Sequence, residues 1–174
     1  MKKFLLICSL VVLTSCGKKE LNIYNIEKQN NIYYEKNKLE PFTGIVKEYY
    51  LNKKLKLYCP MIEGEVTGTR KLYYKNGNIK SIDNFNRNVK NGICKKYYLN
   101  KKLKSKAIYK NGLKNGEVLG YYENGKLFFK FYYKNGKPIN KAEVYDFNGL
   151  NLYKGIFRPE LLSLVKDIYN NQIK

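Results

Sequence analysis

Glycines recur along this chain with the same order of apolar and polar residues behind each one. Gly44, Gly68, Gly92 and Gly116 are spaced by 24 residues. With each Gly as position 0, positions 5 and 6 hold a Tyr pair: Tyr49-Tyr50, Tyr73-Tyr74, Tyr97-Tyr98 and Tyr121-Tyr122. Position 8 holds Asn52, Asn76, Asn100 or Asn124, and position 11 holds Leu55, Ile79, Leu103 or Leu127. Four units in one register mark a repeat architecture. A degenerate fifth unit follows, with Tyr145 and Asn148-Gly149 in step but Asn140 where Gly belongs. A half-unit precedes the first, around Ile32 to Thr43.

Each unit predicts a β-hairpin. Asn76-Gly77 and Asn124-Gly125 are signals for two-residue type I′ turns, in which both central residues need positive φ. Asn52-Lys53 and Asn100-Lys101 are weaker versions. The flanking segments are rich in Tyr, Ile, Leu and Phe, which suit strands. The fold class is therefore all-β, an elongated antiparallel meander of about ten to twelve strands. At the C-terminus Pro159 and Glu160 suit a first helical turn. Leu161, Leu162, Val165, Ile168 and Tyr169 follow helical spacing, so one amphipathic helix is expected from Pro159 to Gln172.

A two-residue Asn-Gly loop pairs position 6 with 11, 5 with 12 and 3 with 14. Side chains alternate faces along a strand. One face then collects Tyr50, Tyr74, Tyr98 and Tyr122 with the position-11 aliphatics, joined by Val46, Cys59, Cys94, Ala107, Val118, Phe129 and Phe131. The other face collects Tyr49, Tyr73 and Tyr97, with Lys56, Lys80 and Lys104 opposite and Lys47, Lys71 and Lys95 beside them. This basic stripe has two readings. It is a solvated face with Lys stems lying across Tyr rings, or it is a surface for anionic lipid, an anionic envelope polymer or an acidic protein. Nucleic acid is not expected, because Arg, the better bidentate phosphate ligand, is scarce.

The N-terminus predicts export. Lys2 and Lys3 precede an apolar run from Phe4 through Leu13. That run is shorter than the ~20 residues a bilayer span needs and fits a secretory signal. Its end, Leu13-Thr14-Ser15-Cys16, resembles a bacterial lipobox. The resemblance implies a signal peptide over residues 1–15, acylation of Cys16 and anchoring outside the cytoplasm. Gly17 in place of Asp permits outer-membrane delivery in a diderm cell. Residues 16–30 are expected as acylated Cys and tether, 31–157 as the repeat domain and 158–174 as the helix.

Composition narrows the chemistry. Lys plus Arg number 34 against 14 Asp plus Glu, for a net +20, and only Arg70, Arg87 and Arg158 are Arg. His is absent, so Ser-His-Asp and Cys-His machinery and His-ligated metals are excluded. No GxSxG, Walker loop or HExxH occurs, and Glu63 and Glu65 lie in an expected connection. The expectation is a non-enzyme with no cofactor and no metal. After processing, Cys59 and Cys94 remain. The meander sets both strands of unit two between them, about 14 Å at ~4.8 Å per strand. A disulfide needs Cα atoms within about 7 Å, so two reduced thiols are expected.

YYKNGNIK, YYENGKLF and YKNGLKNG resemble the MORN-repeat variant, in the branch that contains the YwqK-type antitoxins. The resemblance spans about Ile32 to Phe157. It implies MORN-like hairpin units acting as an interaction or membrane-association module without catalysis. The alternatives are an antitoxin-type inhibitor of a specific protein partner and a structural envelope protein.

Overall fold

The computed structural model describes residues 17–171. Its units begin at β4 (Gly44–Tyr49) and β5 (Leu55–Ile62), the hairpin of unit one. Unit two is β7 (Gly68–Tyr73) and β8 (Ile79–Asn86), and unit three is β10 (Gly92–Tyr97) and β11 (Leu103–Lys110). Unit four is β12 (Leu113–Tyr121) and β13 (Leu127–Lys134), followed by β14 (Lys137–Tyr145) and β15 (Asn151–Gly155). Two short strands, β6 (Glu65–Val66) and β9 (Val89–Lys90), fold back on β5 and β8. From β4 onward the main strands lie side by side in sequence order and antiparallel, as the meander requires. The Gly at the head of each unit serves the backbone. Its φ is 101° at Gly68, 99° at Gly92 and 116° at Gly116, where a side chain would be strained.

The predicted turn type is corrected. In unit two Gly77 N–H donates to Tyr74 O at 2.8 Å, and Tyr74 N–H donates to Asn78 O at 2.8 Å. Only position 9 has positive φ: Lys53 63°, Gly77 94°, Lys101 69°, Gly125 94°. This is a three-residue loop, a type I turn closed by a G1 bulge. Asn76 Oδ1 accepts from Asn78 N–H at 3.0 Å and braces the turn. Two consecutive positive φ values occur at the other end of the hairpins, at Glu63-Gly64, Arg87-Asn88, Asn111-Gly112 and Asn135-Gly136, and also at Asn30-Asn31 ahead of the first unit.

The extra loop residue shifts the register. Position 5 pairs with 11 (Tyr49↔Leu55), position 4 with 13 (Glu48↔Leu57), and position 3 with 14 (Lys47↔Tyr58). Position 12 is left out of the ladder as a bulge, and units two, three and four repeat the shift. Of the three expected pairings, only 3 with 14 is observed.

One face of the sheet carries the core. Phe42, Val46, Cys59, Met61 and Val66 form a cluster at its N-terminal end. Val118, Tyr122, Phe128, Phe131, Ala142 and Val144 form the cluster at its C-terminal end. There α1 (Glu160–Asn171) docks Leu161, with Val165 and Ile168 packed beside it.

The expected tether is the second correction. β1 (Glu20–Asn22) pairs parallel with β4, a 3₁₀ turn follows at Ile23–Asn25, and β2 (Ile26–Gln29) forms a hairpin with β3 (Ile32–Glu35). Leu21, Ile23 and Ile26 pack on the N-terminal cluster, and that burial holds the segment down.

Candidate functional site

The bulge at position 12 decides which residues share a face. Lys56, Lys80 and Lys104 turn to the core face, where their ammonium groups lie over Tyr50 (5.8 Å), Tyr74 (5.7 Å) and Tyr98 (5.0 Å). They do not join Lys47, Tyr49, Lys71, Tyr73, Lys95 and Tyr97, as the sequence suggested. Leu55, Ile79, Leu103 and Leu127 take the vacated places on the open face, because each now pairs with a position-5 Tyr. Cys16 lies outside the described residues.

The second Tyr of each pair has a structural task. Tyr50 Oη donates to Tyr73 O at 2.7 Å, Tyr74 to Tyr97 O at 2.7 Å, Tyr98 to Tyr121 O at 2.7 Å and Tyr122 to Tyr145 O at 2.6 Å. Each bond reaches from one unit to the next. Hairpin tips are linked likewise, with Asn52 Nδ2 donating to Lys75 O (3.0 Å) and Asn124 Nδ2 to Phe147 O (3.0 Å).

The open face is then built from two rows running across the strands. One alternates Tyr and aliphatic residues: Tyr49, Leu55, Tyr73, Ile79, Tyr97, Leu103, Tyr121 and Leu127. The other follows the 3↔14 pairing: Lys47, Tyr58, Lys71, Ile82, Lys95, Lys106, Leu119, Lys130, Glu143 and Lys154. Six lysines thus stand in one line over nine strand spacings, about 43 Å. Lys106, Lys130 and Lys154 were missed in the sequence. Their signal was present, since position 14 faces position 3 and holds Lys in units three and four and in the degenerate fifth.

Charge is not uniform along the row. Lys47 Nζ bonds to Glu20 at 2.6 Å, and that bond raises its pKa despite opposing desolvation. Bonds to Tyr132 and then Glu117 push Lys130 far above the usual lysine range. The middle differs. Lys71 has Tyr58 and Ile82 as row neighbours, and its ammonium lies 5.9 Å from the Tyr58 ring centre. Lys95 stands directly opposite Lys106. Like charges in that position destabilise a sheet, and an anion between them reverses the sign.

Cys59 and Cys94 are both buried and unpaired, on β5 and β10 with β7 and β8 between them. Burial pushes the Cys59 thiol up to about 11, against an opposing pull from Arg70.

Comparison with curated proteins gives no significant match. A family profile, the MORN repeat variant, matches residues 42–62, 66–87, 90–111 and 114–135, together half of the chain. The four segments coincide with the hairpins β4–β5, β7–β8, β10–β11 and β12–β13. By this match and the 24-residue hairpin unit that underlies it, the chain belongs to the MORN repeat variant family.

Proposed function

We propose that this chain is an exported lipoprotein, anchored through Cys16, whose repeat sheet is a non-catalytic module binding the anionic headgroups of the anchoring membrane. MORN repeats are generally binding or scaffold modules, which sets the class. The lysine row on the uncovered face carries the finer reading, above all Lys95 opposite Lys106. A lysine near an anionic surface contributes ~1 kcal/mol. Lys71, Lys95 and Lys106, which have no acid beside them in the row, supply about 3 kcal/mol, roughly a hundredfold in binding.

The docked N-terminus supports the geometry. Lys19 O accepts from Ile45 N–H at 2.8 Å, so the free tether after Cys16 is only Gly17 and Lys18. The three extended residue steps from Cys16 to Lys19 reach ~10 Å. The β1–β4 end of the sheet therefore stays close to the lipid, at the ~8 Å Debye length of physiological salt.

The test is co-sedimentation of the full chain with phosphatidylglycerol vesicles over a salt series. Wild type is expected to bind with a strong salt dependence. The Lys71→Gln, Lys95→Gln, Lys106→Gln triple variant should lose at least tenfold in affinity with unchanged far-UV circular dichroism. Vesicle binding equal to wild type refutes the headgroup reading. A single stoichiometric protein captured from crosslinked envelopes, with no vesicle binding, favours the inhibitor reading implied by the YwqK-type antitoxin resemblance.

A further inference from the structure

The core face is not apolar throughout. Its two ends are covered, by the N-terminal strands at one and by α1 at the other. Between them, on β7 to β11, lies a groove of about 430 Å³. Its lining includes Tyr74, Lys80, Ser81, Lys90, Lys96 and Lys104. The acid among its lining residues, Asp83, is already engaged by Arg70 (3.3 Å) and Lys90 (3.1 Å).

Unit one shows how the chain itself completes this arrangement. Lys56 lies over Tyr50, and its ammonium bonds to Glu48 at 2.7 Å. Glu48 sits at position 4. In units two and three the Lys-over-Tyr pair is kept, as Lys80 on Tyr74 and Lys104 on Tyr98. Position 4 there holds Leu72 and Lys96 instead. Among the described residues no carboxylate pairs with Lys80 or Lys96. Lys96 stands directly between Ser81 and Ser105 on the neighbouring strands, so small side chains flank it. The Lys-Ser dipeptide recurs at 80–81 and 104–105 and is absent from units one and four.

We propose that this groove docks an acidic helix of a partner protein, whose carboxylates take the place that Glu48 occupies in unit one. β8, β10 and β11 are adjacent. Lys80, Lys96 and Lys104 therefore step across the sheet at ~4.8 Å each, ~10 Å in all. A helix presents side chains at i, i+4 and i+7 along one face with steps of about 5–6 Å. Such a helix lying across the strands, with Glu at those three places, sets carboxylates over Lys80 and Lys96 and a third beside the Lys104–Tyr98 pair. This surface is separate from the lysine row and does not rest on it.

The probe is a fluorescent helical peptide with Glu at i, i+4 and i+7, compared with the same peptide carrying Gln there. Anisotropy is read against the full chain in detergent. The Glu peptide is expected to bind at least tenfold more tightly than the Gln peptide. Lys80→Gln with Lys96→Gln should weaken it tenfold or more, whereas Lys95→Gln with Lys106→Gln, on the opposite face, should change it less than twofold. Leu72→Glu installs the unit-one carboxylate beside Lys80. It should weaken the peptide about tenfold while the melting temperature holds or rises. Equal binding of Glu and Gln peptides overturns the proposal, as does equal binding to wild type and the Lys80/Lys96 variant. So does displacement of the Glu peptide by millimolar inorganic phosphate, which would make the groove a simple anion site.

Discussion

Replacing Tyr74 or Tyr122 by Phe removes one oxygen and leaves the ring, so it isolates the tyrosine ladder from packing. Tyr74 is half-buried, and water can reach the carbonyl of Tyr97 once the hydroxyl has gone. Its loss should cost the net value of one hydrogen bond, about 1 kcal/mol. Tyr122 is 3% exposed. The carbonyl of Tyr145, which it serves at 2.6 Å, is left with poorer access to water, adding part of a desolvation penalty of ~1–3 kcal/mol. Tyr122→Phe should therefore cost about 2 kcal/mol, twice Tyr74→Phe. Because each bond joins neighbouring units, its loss weakens the interface term that makes a repeat array unfold as one. Urea unfolding followed by circular dichroism reads both effects, as a lower midpoint and a shallower slope. Costs below about 0.3 kcal/mol at both sites, or the reverse order, would refute the view that the second Tyr of each pair is a coupling device.

Three further outcomes are expected. Burial alone would raise the Asp83 carboxyl, but the Lys90 bond and charge, then Arg70, bring it net below its ordinary 3.8. A depressed folded value means its contribution is whole above that pH and is lost as pH falls through the folded value; Asp83→Asn should flatten the acid limb of the stability curve. Cys59 and Cys94 should react slowly with Ellman's reagent in the native chain and as two thiols after denaturation, whereas a linked Cys59–Cys94 peptide under alkylating conditions would refute both the strand order and the free-thiol state. Cys16→Ser should abolish labelling by a fatty-acid probe, and equal labelling of variant and wild type would remove the anchor from the proposed function.

Much of this architecture was legible in the residues. The 24-residue step located the hairpins, the sequential strand order and the separation of the two thiols, because local turns fix neighbours in a meander. The register was misread at a single residue. Asn-Gly suits a type I′ turn and also a type I turn closed by a G1 bulge, and the two differ by one loop residue. A discriminating signal existed: Lys53 and Lys101 replace Gly in units one and three, and a side chain tolerates one left-handed position in a loop more readily than a rigid requirement for two. That single residue carried Lys56, Lys80 and Lys104 to the other face. Residues 20–30 were misread for a different reason. Their alternation is short and broken, and they are held by burial against Phe42 and Met61, which lie distant in sequence.

The bonds between units also make the sheet a ruler. Each unit touches its neighbours through the same tyrosine hydroxyl and, in most units, the same tip asparagine, and contributes two strands, about 9.6 Å of width. A duplication or deletion of 24 codons in frame moves the far end by that increment and leaves every remaining joint intact. An indel that is not a whole number of 24-residue units breaks the joints beside it. Span is thus a heritable quantity that changes in whole steps, set by copy number rather than by the chemistry of any one residue.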